Sequence, residues 1–357
     1  MSECKFFVPG PTWVRQEILA EMTRPMIGHR SSDFRELFQQ IRNDLKSLFQ
    51  TTQNVFFATC SGTGLMEGAL LNTVRRSVLV TSCGAFSERW FRMAQQLGLE
   101  GDHLEHPWGE AIDAVRLADF MIGRRRHYDA VTITHNETST GVINDLPTLA
   151  KAVHRESPDT LVLVDAVSSL GSTPVLFDEW ELDVCFASTQ KGLALPPGLT
   201  VFAVSDRALA QAAKKSYRGT YFDFLEFKKH GDSDGTPFTP SIPHAYALAR
   251  QLDSILRVET IERRWARHLQ MRDLTLGRTS GYAGLTCAPE VASPSVSALK
   301  PTKRDAPAIL AAMKERGFAL GSGYGAWKGE GFRIGHMGDI SVDSLSAMLD
   351  ALGEVAG

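Results

Sequence analysis

Lys191 and Asp165 end two runs of residues that otherwise belong in a protein interior. VCFAS (184 to 188) leads to Thr189-Gln190-Lys191, and TLVLV (160 to 164) leads to Asp165. An ammonium or carboxylate taken out of water is costly, so either group at the end of a buried strand needs a partner or a function. A desolvated lysine can lose its proton and attack a carbonyl carbon, and a carboxylate beside it can hold a cation. A lysine snorkelling from an edge strand would have neither role, and the stretch alone is compatible with both.

Three other strand ends carry groups of complementary kinds. NVFFAT (54 to 59) runs into CSGTGLMEGALLN, where Ser61, Gly62 and Thr63 open an amphipathic helix. Such a loop offers unpaired N–H groups at the positive end of the helix dipole, which suits a phosphate or carboxylate. It is neither a GxxxxGK loop nor a GxGxxG fingerprint, and a Ser or Thr before a helix is commonly only an N-cap. SVLVTS (77 to 82) is followed by CGAFSERW, whose Phe86 can stack on a flat ligand or fill the core. AVTITH (130 to 135) is followed by NETSTG, which serves equally as turn chemistry or as a polar site with Thr138 in it. A phosphate cradle, a stacking aromatic, a polar loop, a carboxylate and a lysine are together the groups that hold pyridoxal phosphate. Its aldehyde would join the lysine, and its protonated ring nitrogen would pair with the carboxylate.

Strands must carry these groups to one place. The five runs ending in the groups above, with LTVFAVS (199 to 205), are apolar at nearly every position and mostly separated by helical segments. That is the pattern of an α/β domain around a mainly parallel sheet covered on both faces, with its ligand site at the carboxyl ends of the strands. Residues 243 to 277 read as one or two long helices, with a domain junction near 255, and 290 to 357 alternates again on a smaller scale. At 357 residues, a large domain with a smaller companion is expected.

Composition narrows the function classes. A 43% hydrophobic, 22% charged chain of net charge -3 has no basic excess for nucleic acid, and no apolar run is long enough to span a membrane. Five scattered cysteines (Cys4, Cys60, Cys83, Cys185 and Cys287) without a CxxC pair argue against a disulfide framework or a structural zinc. With no recognisable targeting segment, the expectation is a cytoplasmic enzyme without metal.

PGPT (9 to 12), GHRSSDF (28 to 34), HNETSTGV (135 to 142), VDAVSSLG (164 to 171), STQKGLALPPG (188 to 198) and FRIGHMG (332 to 338) carry a resemblance that runs nearly end to end. The chain resembles the class V, fold-type I family of pyridoxal-phosphate aminotransferases, especially alanine–glyoxylate and serine–glyoxylate aminotransferases. That resemblance implies an N-terminal arm (1–20), a large cofactor domain (21–255) around a mainly parallel seven-stranded sheet, and a smaller C-terminal α+β domain (256–357). It implies Lys191 as the Schiff-base lysine and Asp165 as partner of the ring nitrogen, 26 positions earlier (165 to 191). Ser61, Gly62, Thr63 and Gln190 match phosphate-binding positions, Phe86 the stacking position, Thr138 a hydroxyl near the phenolic oxygen, and Arg333 the substrate-carboxylate arginine. Ser168 would support the site from behind.

Two departures from the family stand out. The stacking residue is commonly Trp, so Phe86 keeps the face but loses the indole N–H. In TPFTPSIP (236 to 243), which in the family crosses a homodimer interface to the partner's phosphate, Phe238 lacks the Tyr hydroxyl often found there, while Ser241 keeps one. His29 and Arg30 are left as active-site-edge or structural residues. The implied activity is ping-pong transfer of the amino group of a small amino acid, such as alanine or serine, to glyoxylate or pyruvate.

Three relatives compete with that reading. An aminotransferase for 2-aminoethylphosphonate and pyruvate would need extra cations, for which Arg30, Arg89 and Arg92 are candidates. A lyase or cysteine desulfurase would commonly place His before the lysine and a reactive Cys near the C-terminus, whereas here Gln190 precedes it and no cysteine follows Cys287. A non-catalytic subunit protein keeping only the fold would not explain Lys191, Asp165 and Arg333 together.

Overall fold

A computed structural model describes residues 5–124 and 126–357; Cys4 and the rest of the first four residues of the expected arm lie outside them. The large sheet has seven strands: β1 (Asn54–Ala58), β2 (Ser77–Ser82), β3 (Glu100–Glu105), β4 (Ala130–Thr134), β5 (Leu161–Asp165), β6 (Val184–Ser188) and β7 (Thr200–Val204). Their spatial order is β1-β7-β6-β5-β4-β2-β3. Every neighbouring pair is parallel except the two made by β7, which runs against both β1 and β6. The cause is local: the stretch from Thr189 to Leu199 joining β6 to β7 has no helix. It is too short for the crossover that a parallel return needs.

The continuous apolar runs serve two cores. In β1, Val55 and Phe57 join one buried cluster while Phe56 and Ala58 join the other; β5 divides in the same way, with Val162 and Val164 against Leu161 and Leu163. The period of two sends alternate side chains to opposite faces, so a strand apolar throughout is a strand covered twice. Helix Ser32–Phe49 covers one face through Phe34, Phe38, Ile41, Leu45 and Leu48. Helix Gly62–Thr73 covers the other through Leu65, Met66, Ala69 and Leu70. Each such side chain contributes about 1.5–3 kcal/mol of burial if large.

The sequence runs name six of the seven strands. β3, with the sequence EGDHLE, was missed because it is an edge strand with only Leu104 buried; it pairs along one side with β2 in the register Ser77↔Glu100 to Ser82↔Glu105. Five strands form a second sheet in the order Lys5–Phe7, Phe318–Ser322, Phe332–Gly335, Val296–Pro301 and Ala283–Leu285. A third apolar cluster underlies it, including Phe7, Met271, Phe332, Ile334 and Leu349. The long helical region divides into Ile242–Asp253, a π-helical turn Ser254–Glu259, and Ile261–Thr279. Ile261 packs in the first cluster and Met271 in the third, so this last helix ties the two sheets together.

Candidate active site

A cavity of about 320 Å³ opens at the carboxyl ends of the central strands, and eight of the ten residues singled out by sequence line it: Ser61, Gly62, Thr63, Phe86, Thr138, Asp165, Gln190 and Lys191. Ser168 lines it too. β5 ends on Asp165, β6 delivers Gln190 and Lys191 two and three residues past Ser188, and the loops after β1, β2 and β4 deliver the rest. The turn beyond Lys191 is fixed internally: the Thr189 hydroxyl is shared between the Pro196 and Leu199 carbonyls, and the Ala194 N–H bonds the Lys191 carbonyl.

The Lys191 side chain is half-buried, and its Nζ donates to the Pro9 carbonyl. Gly10 lies against it with φ +125°, and a Cβ there would stand 2.6 Å from Lys191 Cδ, Cε and Nζ, so only glycine fits. Burial, with repulsion from Arg333 and Arg89, pulls the Lys191 ammonium down to about 8 against the attraction of Asp165. A neutral, nucleophilic amine is therefore accessible near neutral pH. Asp165 is pushed up to about 6, chiefly by burial, although the Val167 N–H donates to its Oδ1 at 2.8 Å. Among the described residues no cation forms an ion pair with it, so a cation brought into the cavity would restore its charge.

Helix Gly62–Thr73 points its N-terminus at the cavity. Ser61 occupies the N-cap position in extended conformation, but its side chain makes no capping hydrogen bond. Gly62 lies so close to the neighbouring strand ends that a Cβ would meet Ser188 Oγ at 2.7 Å and Val167 Cγ2 at 2.8 Å. The close approach brings the helix N–H groups to the cavity and leaves the Ser61 hydroxyl for a ligand. Thr138 Oγ1 and Ser168 Oγ share a hydrogen bond of 2.6 Å.

Three groups in the site escaped the sequence reading. Glu137, fully buried, accepts from the Phe86, Ser87 and Ser139 N–H groups and from the Ser87 and Ser139 hydroxyls, and so anchors the loop carrying Phe86. Asn136 lines the cavity and donates to the Ser168 carbonyl and to Ser295 Oγ, which orients its amide, while its buried Oδ1 has no hydrogen-bond partner. Arg89, weighed only as a phosphonate cation, lines the cavity and donates to Thr63 Oγ1 at 3.1 Å. The first two are buried by contacts far away in sequence, and only the polarity of NETSTG hinted at them.

Arg333 and Ser241 stand outside the cavity lining. Arg333 donates to the Ser322 carbonyl at 2.9 Å and the Thr138 carbonyl at 3.2 Å, with Tyr324 against its guanidinium. Among the described residues no carboxylate forms an ion pair with it. Tyr324 in turn stacks on Phe86, centroids 5.0 Å apart at 17°. Ser241 instead bonds His244 Nδ1 through its hydroxyl and Thr59 Oγ1 through its N–H, beside Phe238, whose ring stacks on Tyr221. Arg30 donates to the Thr236 and Pro237 carbonyls, and neither it nor His29 reaches the cavity.

The donor set fits pyridoxal phosphate. The uncapped helix end with its free Ser61 hydroxyl suits the phosphate, Asp165 the ring nitrogen, the orphaned Asn136 Oδ1 and the Thr138 hydroxyl the ring's polar substituents, and the neutral-prone Lys191 the aldehyde. Fold and site together define a fold-type I pyridoxal-phosphate enzyme. Residues 15–327 match the profile of the class-V aminotransferases, and the chain belongs to that family. It is 37% identical to a serine–glyoxylate aminotransferase of Methylorubrum extorquens, over 98% of this chain and 89% of the relative. It is 34% identical to a soluble hydrogenase small subunit of Synechococcus sp., over 97% and 91%. The crystal structure of an alanine–glyoxylate aminotransferase from Nostoc sp. superposes with a TM-score of 0.93 at 27% identity, covering 99% of this chain and 96% of that one.

Proposed function

We propose that the protein transfers the amino group of a small amino acid, such as alanine or serine, to glyoxylate or pyruvate by a ping-pong mechanism. The observation that carries this reading is the convergence of Lys191, Asp165 and the open N-terminus of helix Gly62–Thr73 on one cavity. Relatives named for glyoxylate support the choice of acceptor.

Bound pyridoxal phosphate would supply an aldehyde for a reversible covalent link and a protonated ring that takes up the electron pair left on breaking a Cα–H bond. Lys191 would carry that link at Nζ. When an incoming amino group displaces it, its neutral Nζ would take the α-proton from the substrate carbon and hand it to the carbon that had carried the cofactor's aldehyde. Asp165, as carboxylate, would keep the ring nitrogen protonated. Ser61, Gly62, Thr63 and Gln190 would hold the phosphate, with Ser241 contributed by the partner subunit of a homodimer. Phe86 would stack on the ring, Thr138 would steady its phenolic oxygen with Ser168 behind, and Arg333 would grip the substrate carboxylate with its planar fork.

The competing chemistries find less support. Among the described cysteines, burial pushes Cys60 and Cys287 up to about 11 and raises Cys83 and Cys185 as well, so none is poised as the thiolate a desulfurase needs. All four are free, in keeping with a cytoplasmic location. No described helix is long and apolar enough to cross a membrane. Of the cations a phosphonate substrate would require, Arg30 and Arg92 do not line the cavity, and Arg89 stands beside Thr63, at the helix end that would hold the cofactor's own phosphate. The test is a half-reaction screen: amino acids are added singly and the cofactor's absorbance is followed, then oxo acids are added to restore it. Alanine or serine should bleach the initial band and glyoxylate or pyruvate restore it; a response only to 2-aminoethylphosphonate would replace this reading with its competitor.

A further inference from the structure

A phosphate dianion needs more than backbone N–H groups to offset its charge in a half-buried site. Within this chain, the groups at the open helix end, Ser61, Gly62 and Thr63, are all neutral. The helix dipole supplies roughly half an elementary charge. Gln190 adds none.

Arg89 fills that gap. It stands in helix Ser87–Gln96, a different element from the cradle, yet its Nη1 reaches Thr63 Oγ1 at 3.1 Å and its guanidinium packs 5.0 Å from the centroid of Phe86. It is half-buried and lines the cavity. Among the described residues no carboxylate forms an ion pair with it, although the same helix holds Glu88, which is taken by the Trp108 indole N–H. A half-buried guanidinium beside an uncapped helix N-terminus, with no counter-ion of its own, is built to meet an anion. We infer that Arg89 is the side-chain cation that binds the cofactor phosphate, bridging the cradle at Thr63 to the stacking ring of Phe86. This rests on the cofactor reading above and adds a residue to it.

The test compares two probes on the full-length chain freed of cofactor: pyridoxal phosphate and pyridoxal, which lacks the phosphate. The wild type should bind the phosphorylated probe far more tightly. Arg89→Gln should raise its Kd by about ten- to hundredfold, as loss of hydrogen bonds to a charged group does, and leave the Kd for pyridoxal nearly unchanged. Equal weakening of both probes, or of neither, would overturn the assignment, as would intact cofactor affinity with a raised KM for acidic amino acids. A wild type that shows no preference for the phosphorylated probe would instead defeat the cofactor reading itself. Should the variant not fold, chemical protection decides in the wild type: inorganic phosphate should shield Arg89 from phenylglyoxal, and undiminished modification would overturn the inference.

Discussion

Asp165 sets stability against function at a single residue. Its carboxyl is pushed up to about 6 by burial, so the folded chain without cofactor holds a proton that the unfolded chain has released between about pH 4 and 6. The folded state therefore loses stability as pH rises through that window. Asp165→Asn should stabilise the cofactor-free chain at pH 7 by roughly 2 kcal/mol, read from urea midpoints, while abolishing transamination. Arg333 makes the converse case: two carbonyl contacts hold its fork without neutralising it. Arg333→Gln should cut kcat/KM for small amino acids by roughly a hundredfold and leave cofactor affinity intact. At this scale much of the site could be read from sequence, because a lysine and a carboxylate at the ends of apolar runs are conspicuous. Glu137 was hidden for an equally physical reason: its partners are N–H groups of Phe86 and Ser87, some fifty positions away, and backbone N–H groups leave no trace in residue types.

Elements aim these residues, and a buried ionic network holds the elements. Arg264 in helix Ile261–Thr279 is 1% exposed; it pairs with Asp339 at 3.0 Å and Glu259 at 2.7 Å and donates to the Gly192 carbonyl, next to Lys191. Arg15 and Gln251 also bind Asp339, so the N-terminal segment meets the second sheet's last loop at one carboxylate, and Arg264 links that carboxylate to the turn after Lys191. Asp339→Ala leaves Arg264 short of a partner and should cost about 3 kcal/mol, with the denaturation midpoint falling and the slope unchanged. The strands themselves were legible wherever both faces are covered. β3 was not, because an edge strand with one buried residue carries no apolar run, and β7 read as a strand without revealing its reversed direction, which is set by connection length and not by residue type.

The whole molecule should be acid-sensitive. Burial holds His135 and His336 down to about 4, so as pH falls from about 6.5 the unfolded chain takes up protons that the folded one refuses. Stability is full above that range and declines toward pH 4, by roughly 3 kcal/mol at most for each histidine, and the raised Asp165 offsets part of the loss. Thermal unfolding at pH 7, 5.5 and 4.5 should show a progressive drop, and a flat profile would contradict the burial of these rings. The central claim, that this fold exists to present Lys191 to an aldehyde cofactor, has a direct measurement. Borohydride reduction of the pyridoxal-phosphate-loaded protein, followed by peptide mass mapping, should place the cofactor's mass on Lys191 and lose it in Lys191→Ala. A cofactor adduct fixed on any other lysine, or none at all, would contradict it.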